Sequence, residues 1–323
     1  MLKSVDPSQK DKFFDVLIIG SGPGGLTAAI YAARAELRVA FIEGSTPGGK
    51  VTTTSKIENY PGFSEINGAD LALNMLNQAS NLKAQYLYGW VTSITQDLEN
   101  NLFCVSTKEG QTYFSKVVIV ATGMKERKLG LAREKEFEGK GISYCAVCDG
   151  SLYTNKDVAV TGGGNSAVQE SLYLCKMVKT LYLIHRRNEF RADKIIVDEL
   201  KQKPNVKIYT PYVITEYLGD SHLTGIKIKN VQTNEEKILA VECLFPFIGF
   251  NPATEFLTNF PILNEAKQII TNEHKQTNVP GLYAVGDVTT NPFRQITTAT
   301  SDGTTAALDA IDYINKNAKN WNW

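Results

Sequence analysis

The residues best suited to chemistry in this 323-residue chain are two cysteines three positions apart, Cys145-Ala146-Val147-Cys148, followed directly by Asp149 and Gly150. Thiols at this spacing can form a disulfide that opens and closes during turnover. Asp149 stands where a carboxylate could exchange a proton with a leaving thiolate, and it is equally suited to a turn ahead of Gly150. Zinc is the other use of such a pair, but it needs two more ligands. The remaining cysteines, 104, 175 and 243, are isolated, and the three histidines, 185, 222 and 274, form no second cluster, so no metal site is expected. Cys104 and Cys243, in strand-like runs, and Cys175, on the apolar side of a helix, read as core thiols.

Two glycine-rich turns are the other chemistry-bearing features. Val16 to Ile19 runs into Gly20-Ser21-Gly22-Pro23-Gly24-Gly25 and a helix-like stretch to Ala33; a second apolar run, Val39 to Ile42, stops at Glu43. This reads as a βαβ unit, in which glycines permit a tight turn and close backbone approach to a pyrophosphate at the helix N-terminus. Glu43, 23 residues after Gly20, suits the ribose hydroxyls of FAD or NAD and would repel a 2′-phosphate. The arrangement recurs 142 residues later, with Val158-Ala159-Val160, then Gly162-Gly163-Gly164-Asn165-Ser166-Ala167, a helical stretch and the run Leu181 to Ile184. In the position equivalent to Glu43 stands His185, with Arg186, Arg187 and Arg191 after it. Permanently charged forked donors suit a phosphate dianion, which selects NADPH over NADH. The alternative is a basic surface loop pairing with Glu189 and Asp193.

Positioning these groups calls for an α/β fold with two Rossmann-like, three-layer dinucleotide-binding domains. The charge-dense stretch from Lys125 to Lys140 reads as an exposed connection, and Gly249-Phe250-Asn251-Pro252 ends the strand-like run Val241 to Ile248. The expected domains are therefore 1–127, 128–250 and 251–323. With 34 basic and 34 acidic side chains, the chain offers no nucleic-acid surface and no polybasic membrane patch. No apolar run approaches the roughly 20 residues of a membrane helix, and the polar N-terminus carries no visible export signal. Five cysteines with a single close pair do not make a secreted disulfide framework, so the expected compartment is the cytoplasm.

With those residues placed, the chain closely resembles the low-molecular-weight thioredoxin reductases from Phe14 to about Ile314. The match runs through Gly20 to Gly25, Pro47-Gly48-Gly49, Thr52-Thr53-Thr54, Glu58-Asn59-Tyr60-Pro61-Gly62, Ala121-Thr122-Gly123, Cys145 to Gly150, His185-Arg186-Arg187, Phe190-Arg191-Ala192, Gly286-Asp287-Val288 and Arg294-Gln295. The resemblance implies an FAD domain built from both chain ends, with the NADPH domain inserted. FAD would be held by Gly20, Ser21, Gly22, Gly25, Glu43, Gly48, Gly49, Lys50, Thr54, Asn59, Val91, Thr122, Gly123, Gly286, Asp287, Arg294, Gln295 and Ile296. NADPH would be held by Gly162, Gly164, Asn165, Ser166, His185, Arg186, Arg187 and Arg191. It further implies a homodimer, in which reducing equivalents pass from NADPH through FAD to Cys148, Cys145 attacks the disulfide of thioredoxin, and the inserted domain rotates between two working states. Three departures bear on this. Lys50 stands where the family often has glutamine, Ser151-Leu152 replaces two aromatics where the family docks thioredoxin, and Lys140 replaces an arginine ahead of the dithiol.

Rival readings share parts of this pattern. A reductase serving a peroxidase system would use the same chemistry, but such proteins resemble this chain only after an added N-terminal region. Ferredoxin/flavodoxin–NADP reductases lack the dithiol, and a ferredoxin-driven reductase lacks the basic cluster. A non-catalytic nucleotide-sensing module would have no need of the dithiol.

Overall fold

Phe13–Ile19 form the first strand (β1), and their alternation sets the layers of the fold. Val16 and Ile18 enter one buried cluster with Leu26 and Ile30, while Phe14, Leu17 and Ile19 enter another with Ile94 and Leu282. A strand with apolar side chains on both faces belongs at the centre of a covered sheet. The computed structural model describes residues 11–54 and 57–321; residues 1–10, 55–56 and 322–323, and the side chains of Cys148 and Asn320, lie outside that description.

Along the chain β1 is followed by α1 (Pro23–Arg34), β2 (Val39–Glu43), α2 (Gly68–Asn81), β3 (Gln85–Tyr88), β4 (Val91–Asp97), β5 (Leu102–Thr107), β6 (Thr112–Val120) and β7 (Met124–Glu126). Next come α3 (Glu134–Phe137), α4 (Ala146–Asp149), β8 (Asp157–Thr161), α5 (Asn165–Leu174), β9 (Thr180–Ile184), α6 (Lys194–Lys201) and β10 (Val206–Tyr209). Strands β11 (Tyr212–Leu218), β12 (Gly225–Asn230), β13 (Glu236–Ala240), β14 (Cys243–Pro246), β15 (Phe250–Pro252) and β16 (Leu282–Ala284) precede the last long helix, α7 (Ile296–Lys316).

The chain divides into two units, Met1–Lys125 with Pro252–Trp323, and Glu126–Asn251. In the first, a seven-stranded sheet runs β3-β2-β1-β6-β5-β4. The outer edge of β6 is shared: β5 pairs antiparallel with Ser115 to Thr112, and β16 pairs parallel with Val118 to Val120. Parallel β1 and β2 register Ile18 opposite Phe41. Helices α1 and α7 pack closely, because a Cβ on Gly303 would lie 2.2 Å from the Gly24 carbonyl oxygen. The second unit repeats the parallel layer as β10-β9-β8-β14 and adds the antiparallel sheet β11-β12-β13. Val158 and Val160 of β8 face the helices, and Ala159 faces the antiparallel sheet. Each large apolar side chain so buried contributes about 1.5–3 kcal/mol, and the α/β class expected from the sequence is the class observed. No helix among the described residues is long and apolar enough to cross a membrane.

Most charged side chains of the connection from Lys125 to Lys140 are exposed, as expected, and one of them is buried. Glu134 is only 5% exposed, and its carboxylate accepts hydrogen bonds from the Leu129 N–H (3.0 Å), the Gly130 N–H (2.6 Å) and the Tyr144 hydroxyl (3.0 Å). A buried carboxylate is tolerated because donors surround it.

Candidate active site

In the first unit, the turn after β1 is shaped by what lies against it. Gly20 has φ +100°, and a Cβ there would sit 2.4 Å from the Ala121 carbonyl oxygen. Thus the glycine turn and Ala121-Thr122-Gly123 abut, with the Thr122 hydroxyl donating to the Ala253 carbonyl (2.8 Å). The second glycine pair closes on the same loop: the Gly48 N–H donates to the Ser21 carbonyl (3.0 Å), and a Cβ on Gly49 would lie 3.1 Å from Gly22 Cα. A Cβ on Gly22 would meet nothing within 4 Å. Helix α1 starts there with no side-chain cap and no acidic residue in its first turn, leaving a partial positive charge facing open space. The Glu43 carboxylate is fixed at the end of β2 by the Ser21 hydroxyl (3.0 Å) and the Ser45 hydroxyl (2.9 Å). This cradle fits a dinucleotide pyrophosphate with a ribose beside Glu43.

The C-terminal segment completes that cradle. Gly24 approaches the Ala299 carbonyl, where a Cβ would come to 3.1 Å, and the Asn59 amide donates to the Gln295 side chain (3.2 Å) at the start of α7. Burial raises the pKa of Asp287, opposed by the positive charges of Arg294 and Lys50. Thr54 and Arg294 are exposed, while Ile296 and Val91 are half-buried. Asp302 had no expected role, yet it is 3% exposed. It accepts from the Gly286 N–H (3.2 Å) and pairs with the Lys275 ammonium (2.8 Å), tying the Gly286-Asp287 turn to α7.

In the second unit, α5 also begins without a side-chain cap or a first-turn acid, after Gly164, where a Cβ would meet nothing within 4 Å. Asn165 at its first turn is held by Asp193, whose N–H donates to its side-chain carbonyl (2.8 Å). Arg186, Arg187 and Arg191 are exposed, and all three press on one point: burial first, then Arg191, Arg187 and Arg186, lower the pKa of His185. The described arginine ion pairs involve Arg38 and Arg133, not these three. His185 itself is 5% exposed. Its ring stacks on Phe190 with centroids 5.2 Å apart, and it occupies the space a Cβ on Gly163 would need, at 2.1 Å. It shapes the loop from beneath, and the exposed guanidiniums are the groups available to an anion.

The dithiol segment lies in the same unit, on the four-residue helix α4. Cys145 is disulfide-bonded, and Cys104, Cys175 and Cys243 are free thiols. The Cys148 side chain lies outside the described ones. Burial pushes the Cys243 thiol up to about 12, which keeps it protonated and inert. Ser143, which carried no sequence expectation, is the organising residue: its hydroxyl donates to the Asp149 carboxylate (2.7 Å) and accepts from the Cys145 N–H (3.1 Å). Once reduced to a dithiol, such a pair, with an oriented carboxylate nearby to carry the proton, can exchange with an external disulfide.

Residues 14–303 match the family described as pyridine nucleotide-disulphide oxidoreductase. The thioredoxin reductase of Mycoplasma pneumoniae is 46% identical over 302 residues, 93% of this chain and 95% of that protein. That of Listeria monocytogenes is 39% identical, covering 95% of this chain and 96% of its own. The chain belongs to the low-molecular-weight thioredoxin reductases. Among solved structures, Lactococcus lactis thioredoxin reductase superposes with a TM-score of 0.87 at 39% identity, over 94% of this chain and 99% of that one. The T. acidophilum thioredoxin reductase gives a TM-score of 0.85 at 36% identity, with the same coverage. As a member of this oxidoreductase family, the chain is an enzyme, and Leu152, four residues after Cys148, is 68% exposed.

Proposed function

We propose that this thioredoxin reductase uses NADPH, through FAD, to reduce the disulfide of thioredoxin with Cys145 and Cys148. The observation that carries the reading is the disulfide at Cys145, held beside Asp149 by Ser143. The open helix start at Gly22 and the Glu43 carboxylate suit the pyrophosphate and ribose of FAD; Lys50, Thr54, Asn59, Val91, Asp287, Arg294, Gln295 and Ile296 are the residues assigned to the rest of it. Bound there, FAD would supply a two-electron relay between the nicotinamide of NADPH and the enzyme disulfide. Gly162, Gly164, Asn165 and Ser166 are assigned to the NADPH pyrophosphate, and Arg186, Arg187 and Arg191 to its 2′-phosphate. The reading includes domains for FAD at both chain ends and for NADPH between them, a homodimer, and a cytoplasmic location.

Once the dithiol is reduced, the Cys145 thiolate attacks one sulfur of the thioredoxin disulfide. That bond breaks, a mixed disulfide forms, and Asp149 delivers a proton to the departing thiolate. The Cys148 thiolate then attacks the Cys145 sulfur, which releases reduced thioredoxin and restores the enzyme disulfide. Ser143→Ala removes a donor from a carboxylate, an interaction of about 1.5–3 kcal/mol, so thioredoxin turnover should fall on the order of tenfold while flavin content stays unchanged. Steady-state turnover beside the visible spectrum checks both. The positive charge of Lys50 acts on Asp287. Its replacement by glutamine should make reduction of the flavin less favourable, lowering the midpoint potential by about 30 mV if roughly 1.4 kcal/mol is lost; an unchanged potential would remove Lys50 from this role.

The reading is tested by NADPH-dependent reduction of a disulfide dye with and without added thioredoxins. A flavin spectrum and thioredoxin-dependent turnover with NADPH are expected. Purified protein without flavin, or turnover indifferent to every thioredoxin tried, would overturn it.

A further inference from the structure

The end of β2 carries an aromatic surface that neither the dithiol nor the glycine turns use. Tyr86, Tyr88 and Trp90, at alternate positions beside Glu43, are 40%, 61% and 45% exposed. The Tyr86 hydroxyl and the Gly89 N–H both donate to the Glu43 carbonyl, at 3.3 and 3.1 Å. The Trp90 indole lies directly on Gly44: a Cβ there would come within 2.3 to 2.6 Å of its Cδ2, Cε2 and Cγ atoms. Its backbone is fixed as well, the N–H donating to the Glu109 carboxylate (2.9 Å) and the carbonyl accepting from Lys108 (2.8 Å). A large ring held rigidly at the surface, one residue beyond a ribose-receiving carboxylate, has no packing reason to remain half-exposed. The base of an adenosine is one glycosidic bond from its ribose. We propose that the Trp90 indole is the stacking platform for the adenine ring of the dinucleotide whose ribose Glu43 receives.

This inference rests on the reading of the first site as the FAD site, and it separates from that reading by choice of ligand. Gly44 is glycine because the indole must lie on its backbone, and the ring is thereby held in place before any ligand arrives. Stacking of a base on an aromatic side chain is worth enough that its removal weakens binding about tenfold. The contact involves adenine alone, so ligands without that base are indifferent to it.

The test uses flavin-free protein prepared from wild type, Trp90→Phe, Trp90→Leu and Trp90→Ala, with circular dichroism to identify folded variants. FAD and FMN binding are followed by flavin fluorescence, and ADP binding by calorimetry. Trp90→Ala and Trp90→Leu should weaken FAD and ADP together, about tenfold, leave FMN unchanged, and lose less in Trp90→Phe. Unaltered FAD and ADP affinities in a folded variant would overturn the proposal, as would an equal loss of FMN, which would mark Trp90 as a general support. Wild-type protein that binds ADP but no flavin would refute the FAD reading while leaving the adenine platform standing.

Discussion

Cys148→Ser should abolish NADPH-driven reduction of thioredoxin, with turnover falling on the order of a thousandfold or more, while the protein keeps its flavin. A single thiol at Cys145 can still attack thioredoxin, but nothing within the enzyme then resolves the mixed disulfide. Cys243 cannot take over, because it is fully buried and its thiol is pushed up to about 12. Cys145→Ser should cost as much, since it removes the attacking thiol. Both losses are read as thioredoxin-dependent NADPH oxidation, with oxidation by a quinone acceptor as the control that the flavin still turns over. Retained thioredoxin turnover in either variant would place the chemistry elsewhere.

Replacing Arg186 and Arg187 together with alanine should raise the KM for NADPH on the order of a hundredfold and leave that for NADH nearly unchanged. Each guanidinium would give a charge-assisted hydrogen bond of about 1.5–3 kcal/mol to the 2′-phosphate, and NADH has no such group. Both arginines are exposed outside the described arginine ion pairs, so losing them should cost the fold little. The ratio of kcat/KM for the two nucleotides is the measurement. An equal effect on NADPH and NADH would mean that the cluster holds the loop instead of reading the phosphate.

Much of this was legible in the sequence because it is local. A strand, a glycine turn and a helix follow one another within about 30 residues, and the Cys145 pair and the arginines after Ile184 are contiguous. What was not legible depends on distant partners. Glu134 lies in a run of charges that reads as exposed, and only the fold supplies the Leu129, Gly130 and Tyr144 donors that let it be buried. His185 occupies the position where an acid would meet a ribose, but Gly163 leaves room for its ring beneath the loop. Asp302 left a trace: with Ala299, Gly303 and Ala306 it repeats at helical spacing on the buried face of α7. An acid at such a position asks for a partner, and Lys275 and the Gly286 N–H are the ones it finds. Ser143 left none, because a serine two residues before a cysteine resembles any other until Asp149 is seen within 2.7 Å.

The central claim is that Cys145 is the thiol that meets thioredoxin, and it is tested most directly by trapping. Thioredoxin with one active-site cysteine, activated as its thionitrobenzoate disulfide, is offered to the reduced Cys148→Ser and Cys145→Ser variants. Attack by Cys145 forms a stable mixed disulfide and releases one thionitrobenzoate. A stoichiometric cross-linked complex with Cys148→Ser, mapped by mass spectrometry to Cys145, and little with Cys145→Ser, is the predicted result. Cross-linking through Cys148 instead, or none with either variant, would contradict the account.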